Sequence, residues 1–397
     1  MDYKPSDFEF VENSSKEDKE QTRPSLTYWK DTWRRLRKNK MAIIGLVGII
    51  LITLFAILGP LLTPYEYDGQ LTDYSNLPIS LELYEVDDGV YVFRTDAYRL
   101  LVVDGSGHIL SRLRQTSYDS IKKQFHFDLD GEDIIVDLSY KLFPELADEN
   151  IDFSIIFREV EFKTPAKTVW NKTFLMGTDN VGRDLLTRVM YGARISLLVA
   201  LTATLVNLLI GVAYGAISGL NGGRLDNFMM RFIDLIDSIP LLLYVILIMV
   251  IVEDKGLGTI VLTLGLLYWV GMARLVRGQV LSLKEQEYVL AARMLGVSKW
   301  KIITRHLIPN AMGPILVAMT MMIPTAVFTE SFLSFIGLGI SAPQASWGTL
   351  ANDGYDALMQ YPHQLIVPSI AIAVTMLCFN FLGDGLRSAL DPRLRKG

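Results

Sequence analysis

The chain has 397 residues, half of them hydrophobic, and a formal net charge of −5. That charge is too small to indicate a nucleic-acid-binding protein. The apolar residues are concentrated in long blocks, unlike those of a soluble multidomain chain, and the single cysteine, Cys378, lies inside one block. The long apolar blocks indicate an integral membrane protein. A lone cysteine excludes an internal disulfide and a cysteine-based zinc site.

Residues 1–40 are predicted to be a cytoplasmic tail that ends in an interfacial helix. Residues 1–24 are polar, acidic and poor in large apolar side chains, a composition typical of disorder. From Ser25, which can cap a helix, Trp29 and Trp33 are interleaved with Lys and Arg. Basic helices with tryptophan on one side bind the cytoplasmic surface of a membrane.

A first transmembrane helix is predicted over residues 41–62. This block has no charged residue and is long enough to cross about 30 Å of hydrocarbon. The basic cluster before it places its start in the cytoplasm, and its far end is therefore outside.

Residues 66–172 are charged and of mixed composition, and we interpret them as a small, mainly β domain outside the membrane. Asp104-Gly105-Ser106-Gly107 and Asp130-Gly131 have the composition of hairpin turns. The predicted strands are Val90 to Phe93, Arg99 to Val103, His108 to Leu113, Phe125 to Leu129 and Phe153 to Phe157.

Five further apolar blocks follow within residues 173–397, and Pro240 is expected to kink the second of them. They lie at roughly 195–218, 232–252, 257–273, 311–332 and 365–382.

The distribution of Lys and Arg supports six spans with both termini in the cytoplasm. The segment 274–310 carries seven basic residues and the C-terminal tail four, whereas 337–364 carries none. Short cytoplasmic loops are enriched in Lys and Arg. The predicted fold is therefore an all-α polytopic membrane protein with six transmembrane helices and an inserted extracytoplasmic, mainly β domain.

The most informative stretch is the cytoplasmic loop, 277–310. Its residues Tyr288, Ala291, Ala292 and Leu295 share one face of a helix, at spacings of three, four and seven. Two readings are equally supported by spacing alone: this face docks in a groove of a partner, or it packs on the membrane.

The ends of this helical pair are marked in the sequence. Gly296 is predicted to end the first helix, Ser298 to cap a second one, and Pro309 to stop that second helix before the next span.

Four ordered runs resemble a known family. They are Gly177-Thr178-Asp179-Asn180-Val181-Gly182-Arg183-Asp184, then Glu287-Tyr288-Val289-Leu290-Ala291-Ala292-Arg293-Met294-Leu295-Gly296, then Glu330-Ser331-Phe332-Leu333-Ser334-Phe335, and Asn380-Phe381-Leu382-Gly383-Asp384-Gly385-Leu386-Arg387. They resemble the C-type subunit of ABC importer permeases of the oligopeptide/dipeptide/nickel family. The match is dense over residues 173–395 and loose over 26–65.

The resemblance implies a subunit of a bacterial cell-membrane importer that is not itself an enzyme. A second, B-type permease subunit would share the translocation path, two ATPase subunits would dock on the cytoplasmic loops, and an extracytoplasmic binding protein would deliver the substrate. ATP and Mg²⁺ would be bound by the ATPases, and the chain has no Gly-Lys dipeptide for a phosphate loop. Peptide is the expected substrate, with nickel or another small solute as the alternative.

Two features depart from the family pattern. The acidic residue that usually precedes the alanine pair is Leu290 here, so its contact with the ATPase must come from elsewhere, for example Glu287. The 66–172 insert is far longer than the usual connection, and the resemblance says nothing about its role.

Polar residues within or near the spans supply the remaining candidates. Glu330, Asn207 and Asn380 are candidates for gating or for lining the path, because polar groups at membrane depth are costly and often functional. Asp179, Arg183, Asp184 and Arg194 are predicted to fix an elbow outside the membrane, with ion pairs of Asp184 to the arginines.

Two other classes of protein fit less well. An ion-coupled carrier requires charges near the bilayer midplane and inverted repeats, and neither is found. A surface receptor with a ligand-binding β domain needs only one span, so the six predicted spans argue against this class. The four histidines show no metal-ligand spacing.

Overall fold

The structure is a computed structural model that describes residues 28–139, 152–253, 256–340 and 343–390. The predicted disordered tail, the cap at Ser25 and the basic C-terminal tail after residue 390 lie outside the described residues. Within them, five helices are long and apolar enough to cross a membrane, and a bent helix pair makes a sixth if it counts as one span. The chain is thus helical and polytopic, with five or six candidate spans.

The first two helices follow the predicted blocks. Helix α1, Tyr28–Lys38, exposes about half of the Trp29 and Trp33 side chains. Helix α2, Lys40–Leu62, is the first candidate span. The Asn39 side chain caps it by accepting hydrogen bonds from the backbone N–H groups of Met41 and Ala42, at 3.1 and 3.3 Å.

The insert consists of two five-stranded antiparallel sheets, with strand orders β10-β1-β2-β3-β4 and β5-β6-β7-β8-β9. The strands are β1 Ser80–Asp87, β2 Val90–Arg94, β3 Leu100–Val103, β4 Ile109–Arg112, β5 Arg114–Asp119, β6 Gln124–Leu129, β7 Glu132–Asp137, β8 Ser154–Phe157, β9 Val160–Phe162 and β10 Lys167–Trp170. The two predicted turns join β3 to β4 and β6 to β7. Five of the ten strands coincide with predicted runs.

The two sheets share one apolar core. Val92 and Leu100 of the first sheet pack in the same cluster as Phe127 and Ile134 of the second. The first sheet is also covered on its other face, where its leucines pack against Phe174 at the exit of the insert. The first and last strands are neighbours, with Ser80 opposite Trp170. The insert therefore leaves the membrane core and returns to it at one place.

The remaining helices form the membrane core. They are α3 Leu185–Asn221, α4 Gly223–Asp237, α5 Leu241–Val252, α6 Leu257–Leu267, α7 Trp269–Leu283, α8 Glu287–Met294, α9 Lys299–Ile302, α10 Ile308–Phe335, α11 Trp347–Asp356 and α12 His363–Leu390, with a π-helical turn at Ile303–Leu307.

Two boundaries differ from the prediction. Helix α7 continues to Leu283, so the predicted loop begins as helix and Arg277 is a helical residue. The apolar block at 232–252 is broken rather than gently kinked. Helices α4 and α5 meet at 83° around Pro240, which has no N–H to continue the helix.

Helices α3 and α7 approach each other closely through glycine. A Cβ at Gly211 would lie 2.9 Å from the Trp269 carbonyl oxygen, and one at Gly219 would lie 3.0 Å from that of Arg277. A larger residue at either position would push the two helices apart.

Candidate functional site

The predicted docking helix is present as α8. It follows Gln286, and Glu287 lies in its first turn, where a negative charge is favourable. At its other end the N–H of Gly296 donates to the Arg293 carbonyl and that of Val297 to the Ala292 carbonyl, at 3.0 and 3.1 Å. Gly296 has φ +73°, a left-handed conformation that glycine adopts without strain. Gly296 therefore ends the helix, as the sequence predicts.

One face of α8 is buried within this chain. Val289 is fully buried, and it packs in a cluster with Val280 of α7 and Ile303 of the π-turn. Ala292, one turn later, is only 7% exposed. The prediction that Ala292 belongs to the docking face is therefore wrong, because the helix uses that position to rest on its own core.

The opposite face of α8 is apolar and faces away from the chain. Met294 and Leu295 are 89% and 83% exposed, Leu290 is 41% exposed, and Ala291 lies beside them. We call Leu290, Ala291, Met294 and Leu295 the outward stripe. Ala291 and Leu295 of the predicted face thus remain available to a partner. Leu290 is the first residue of the stripe and the least exposed of its large side chains.

Tyr288 lies at the edge of this surface, 41% exposed, with its ring 6.4 Å from that of His306. Ser298 precedes α9 but its side chain makes no capping hydrogen bond. Pro309 does not stop the second helix, because the π-turn leads directly into α10 and places the proline in the first turn, where no intrahelical N–H bond is needed. The prediction for Pro309 was wrong on this point.

The elbow outside the core is fixed by a different ion-pair set from the predicted one. The Asp179 carboxylate accepts hydrogen bonds from Arg183 at 2.6 Å and from Arg188 at 2.7 Å. Arg188 also lies 3.4 Å from Asp353 of α11. Sequence reasoning missed Arg188, a 3%-exposed arginine on the first turns of α3, because it lies just beyond the motif.

Asp184 and Arg194 have other tasks. Asp184 caps α3 by accepting from the N–H and the hydroxyl of Thr187, at 2.7 and 2.6 Å. Burial raises the pKa of the Asp184 carboxyl. Arg194 donates to the carbonyl oxygens of Ala56 and Ile57 in α2, at 2.5 and 2.7 Å. The predicted ion pairs of Asp184 are therefore wrong, because Asp184 caps α3 and Arg194 binds backbone carbonyl oxygens of α2.

The elbow also holds the base of the insert. The Leu77 N–H donates to the Thr178 hydroxyl at 2.8 Å, and the Thr178 N–H donates to the Leu77 carbonyl at 3.0 Å. The Asn76 N–H donates to the Asp179 carbonyl at 2.8 Å. Gly182 has φ +79°, and a Cβ there would overlap the Leu71 carbonyl. The family-like motif and the insert are therefore packed together.

The three path candidates do not meet. Glu330 is fully buried in α10 and accepts hydrogen bonds from Ser196 of α3 and Ser334, both at 2.8 Å. Asn207 is buried in α3, and Asn380 is half-buried in α12. Glu330 thus joins two helices inside this chain, and its role in gating stays a prediction.

Acidic residues of α4 are paired with arginines of α7. Arg274 of α7 donates to Asp237 at 2.7 Å and to Asp234 at 3.1 Å. Asp226, 6% exposed, receives a two-pronged bond from Arg277 at 2.6 and 2.7 Å. Sequence reasoning missed this second pair, since the two residues are far apart along the chain.

Two known families match separate parts of the chain. The family described as "Binding-protein-dependent transport system inner membrane component" matches residues 211–396. The "N-terminal TM domain of oligopeptide transport permease C" matches residues 27–78.

Individual relatives are similar over different lengths. The oligopeptide transport system permease protein OppC of Bacillus subtilis is 39% identical over 94% of this chain and 93% of its own length. The dipeptide transport system permease protein DppC of the same organism is 39% identical over 94% of this chain and 88% of its own. OppC of Haemophilus influenzae is 46% identical over 55% of this chain and 70% of its own.

Proposed function

Because the chain belongs to the family of binding-protein-dependent transport permeases, we propose that it imports oligopeptides or dipeptides as one of two permease subunits. The path would lie between this chain and the second permease. Separate ATPases would supply the energy, and an extracytoplasmic binding protein would deliver the peptide. Binding of ATP would draw the ATPases together and rock the spans between outward-open and inward-open states.

The observation that carries this proposal is the outward stripe. Its large side chains, Met294 and Leu295, are almost fully exposed on a helix whose other face is already buried. An exposed apolar strip on a short helix fits the groove of a partner, in the manner of other helix-in-groove complexes. The partner that this family offers at such a place is the ATPase.

Glu287 can replace the acidic residue that the resemblance leads one to expect at position 290. Leu290 cannot accept a hydrogen bond, but Glu287 lies one turn earlier on the exposed surface. Its carboxylate is therefore placed to meet a basic group at the edge of the ATPase groove.

The orientation in the membrane follows from the charges. We assign both termini and α8 to the cytoplasm, the insert to the outside, and the chain to a bacterial cell membrane, because the basic residues are concentrated around α8 and the termini.

The substrate is assigned from the names of the relatives, which are oligopeptide and dipeptide permeases. The test is reconstitution of this chain with its second permease, ATPases and binding protein in proteoliposomes. We expect ATP-dependent uptake of labelled trialanine and no uptake of radioactive nickel. Peptide uptake by this chain without an ATPase, or uptake of nickel alone, would overturn the proposal.

A further inference from the structure

Two lysines connect the docking segment to the inner end of α3. The Lys284 ammonium donates to the Gly219 carbonyl at 3.1 Å, and the Lys299 ammonium donates to the Asn221 side-chain oxygen at 2.7 Å. Lys284 follows α7 just before the docking helix, and Lys299 begins the turn after it. The two contacts therefore bracket α8 on both sides.

The end of α3 is suited to receive these cations. The last carbonyls of a helix lack intrahelical donors, and the helix dipole concentrates negative charge there. The Asn221 amide donates to the Ile217 carbonyl at 2.8 Å, which fixes its oxygen toward Lys299. Gly222 has φ +64° and turns the chain directly into α4, so the acceptors are held at a sharp corner.

This corner is itself locked to the helix that precedes the docking segment. Arg277 of α7 binds Asp226 of α4 through two hydrogen bonds, and the Ser218 hydroxyl of α3 donates to the same carboxylate. A Cβ at Gly219 would lie 3.0 Å from the Arg277 carbonyl oxygen, so α3 and α7 are in close contact beside this corner.

Helix α3 extends this connection across the membrane. It runs unbroken from Leu185 to Asn221, a length of about 55 Å at 1.5 Å per residue. Its outer half carries Arg188, which is bound to Asp179, and Ser196, which is bound to Glu330. A displacement of its inner end is therefore passed to the outer polar contacts.

We propose that Lys284 and Lys299 are positioning residues that transmit movement of the docking helix to α3. Ala216 and Leu220 of α3 already pack in the apolar cluster that holds Val289 of α8, and the two lysines add polar contacts to the end of α3 on both sides of α8. The inference rests on the proposed function, since it requires an ATPase that displaces α8.

The test is the number of peptides imported per ATP hydrolysed, measured in proteoliposomes with the complete complex. The K284M/K299M variant is expected to bind the ATPase as tightly as the wild type and to hydrolyse ATP, but to import about fivefold less trialanine per ATP. The K284R/K299R variant restores the ratio, because arginine donates to the same oxygens. An unchanged ratio in the methionine variant would overturn the proposal.

Two further variants separate transmission from docking. The N221L change removes the acceptor of Lys299 without changing the docking segment. It should lower the number of peptides imported per ATP as K299M does, and the N221L/K299M variant should show no further loss. Lys301 is exposed in the same segment, so K301M is the matched control and should leave the ratio unchanged.

Three outcomes count against the lysine links. They are an equal loss of peptide import per ATP in K301M, fully additive losses in N221L/K299M, and weakened ATPase binding in K284M/K299M. Failure of the wild-type complex to bind its ATPases would instead remove the proposed function, and the two failures are distinguishable.

Discussion

Truncation of Leu295 to alanine tests the docking surface directly. The side chain is 83% exposed, so its loss should change the stability of this chain by less than about 0.5 kcal/mol. If the side chain enters an ATPase groove, three carbons lose their burial at about 0.8 kcal/mol each. Affinity of the ATPase should then fall by about 2 kcal/mol, or roughly thirtyfold.

The assay is titration of the permease pair in nanodiscs with a fluorescently labelled ATPase subunit, alongside the melting temperature of the permease. L295M keeps the volume and the apolar character, and it should bind within about threefold of the wild type. L110A, at a 65%-exposed leucine of the insert, is a surface control and should bind normally. Unchanged ATPase affinity in L295A would refute the assignment of the outward stripe.

Three other substitutions probe separate parts of the structure. A292L should lower the free energy of unfolding by about 1–3 kcal/mol through overpacking, and with it the melting temperature, because this alanine faces the core of its own chain. R277M should destabilise the chain by about 2 kcal/mol in thermal unfolding, since it leaves the buried Asp226 carboxylate unpaired; an unchanged melting curve would contradict the importance of the pair. S106C should react with a membrane-impermeant maleimide in intact cells, and labelling only after permeabilisation would place the insert inside.

The spans could be read from the sequence because burial in lipid demands long uncharged blocks. The block at 41–62 coincides with α2 to within one residue, and Pro240 marks the break between α4 and α5. The C-terminal end of the span predicted at 257–273 was placed too early, because Arg274 and Arg277 resemble loop residues. They are tolerated on the helix since carboxylates on α4 neutralise them.

Strand β5 of the insert was missed because both of its faces lack an apolar pattern. Arg114–Asp119 has no buried residue except at its partly covered end, so no alternation marks it. Strand β8, in contrast, is a buried apolar run, and its prediction was confirmed. Hydrophobic periodicity reports burial, and an edge strand with little burial leaves no such signal.

The docking helix shows why a site can be located without its orientation being known. Over eight residues, the pairs Val289–Ala292 and Ala291–Leu295 each fit helical spacing, so the sequence cannot choose which pair turns inward. The choice is made by Val280 and Ile303, which come from flanking elements. Arg188 was missed for a related reason, because its partners Asp179 and Asp353 lie on separate elements.

The pairing of the first and last strands of the insert explains how it fits between α2 and α3. Ser80 lies opposite Trp170, so more than eighty residues leave and re-enter at one point above the elbow. The Bacillus subtilis OppC aligns over 94% of this chain. The Haemophilus influenzae relative aligns over 219 residues, about the length of the membrane core from residue 173 onward. The contacts at Leu77 and Thr178 join the two parts by one backbone hydrogen bond and one hydrogen bond to the Thr178 hydroxyl. Because the insert enters and leaves the core at one place, the helices of the core keep their contacts with one another.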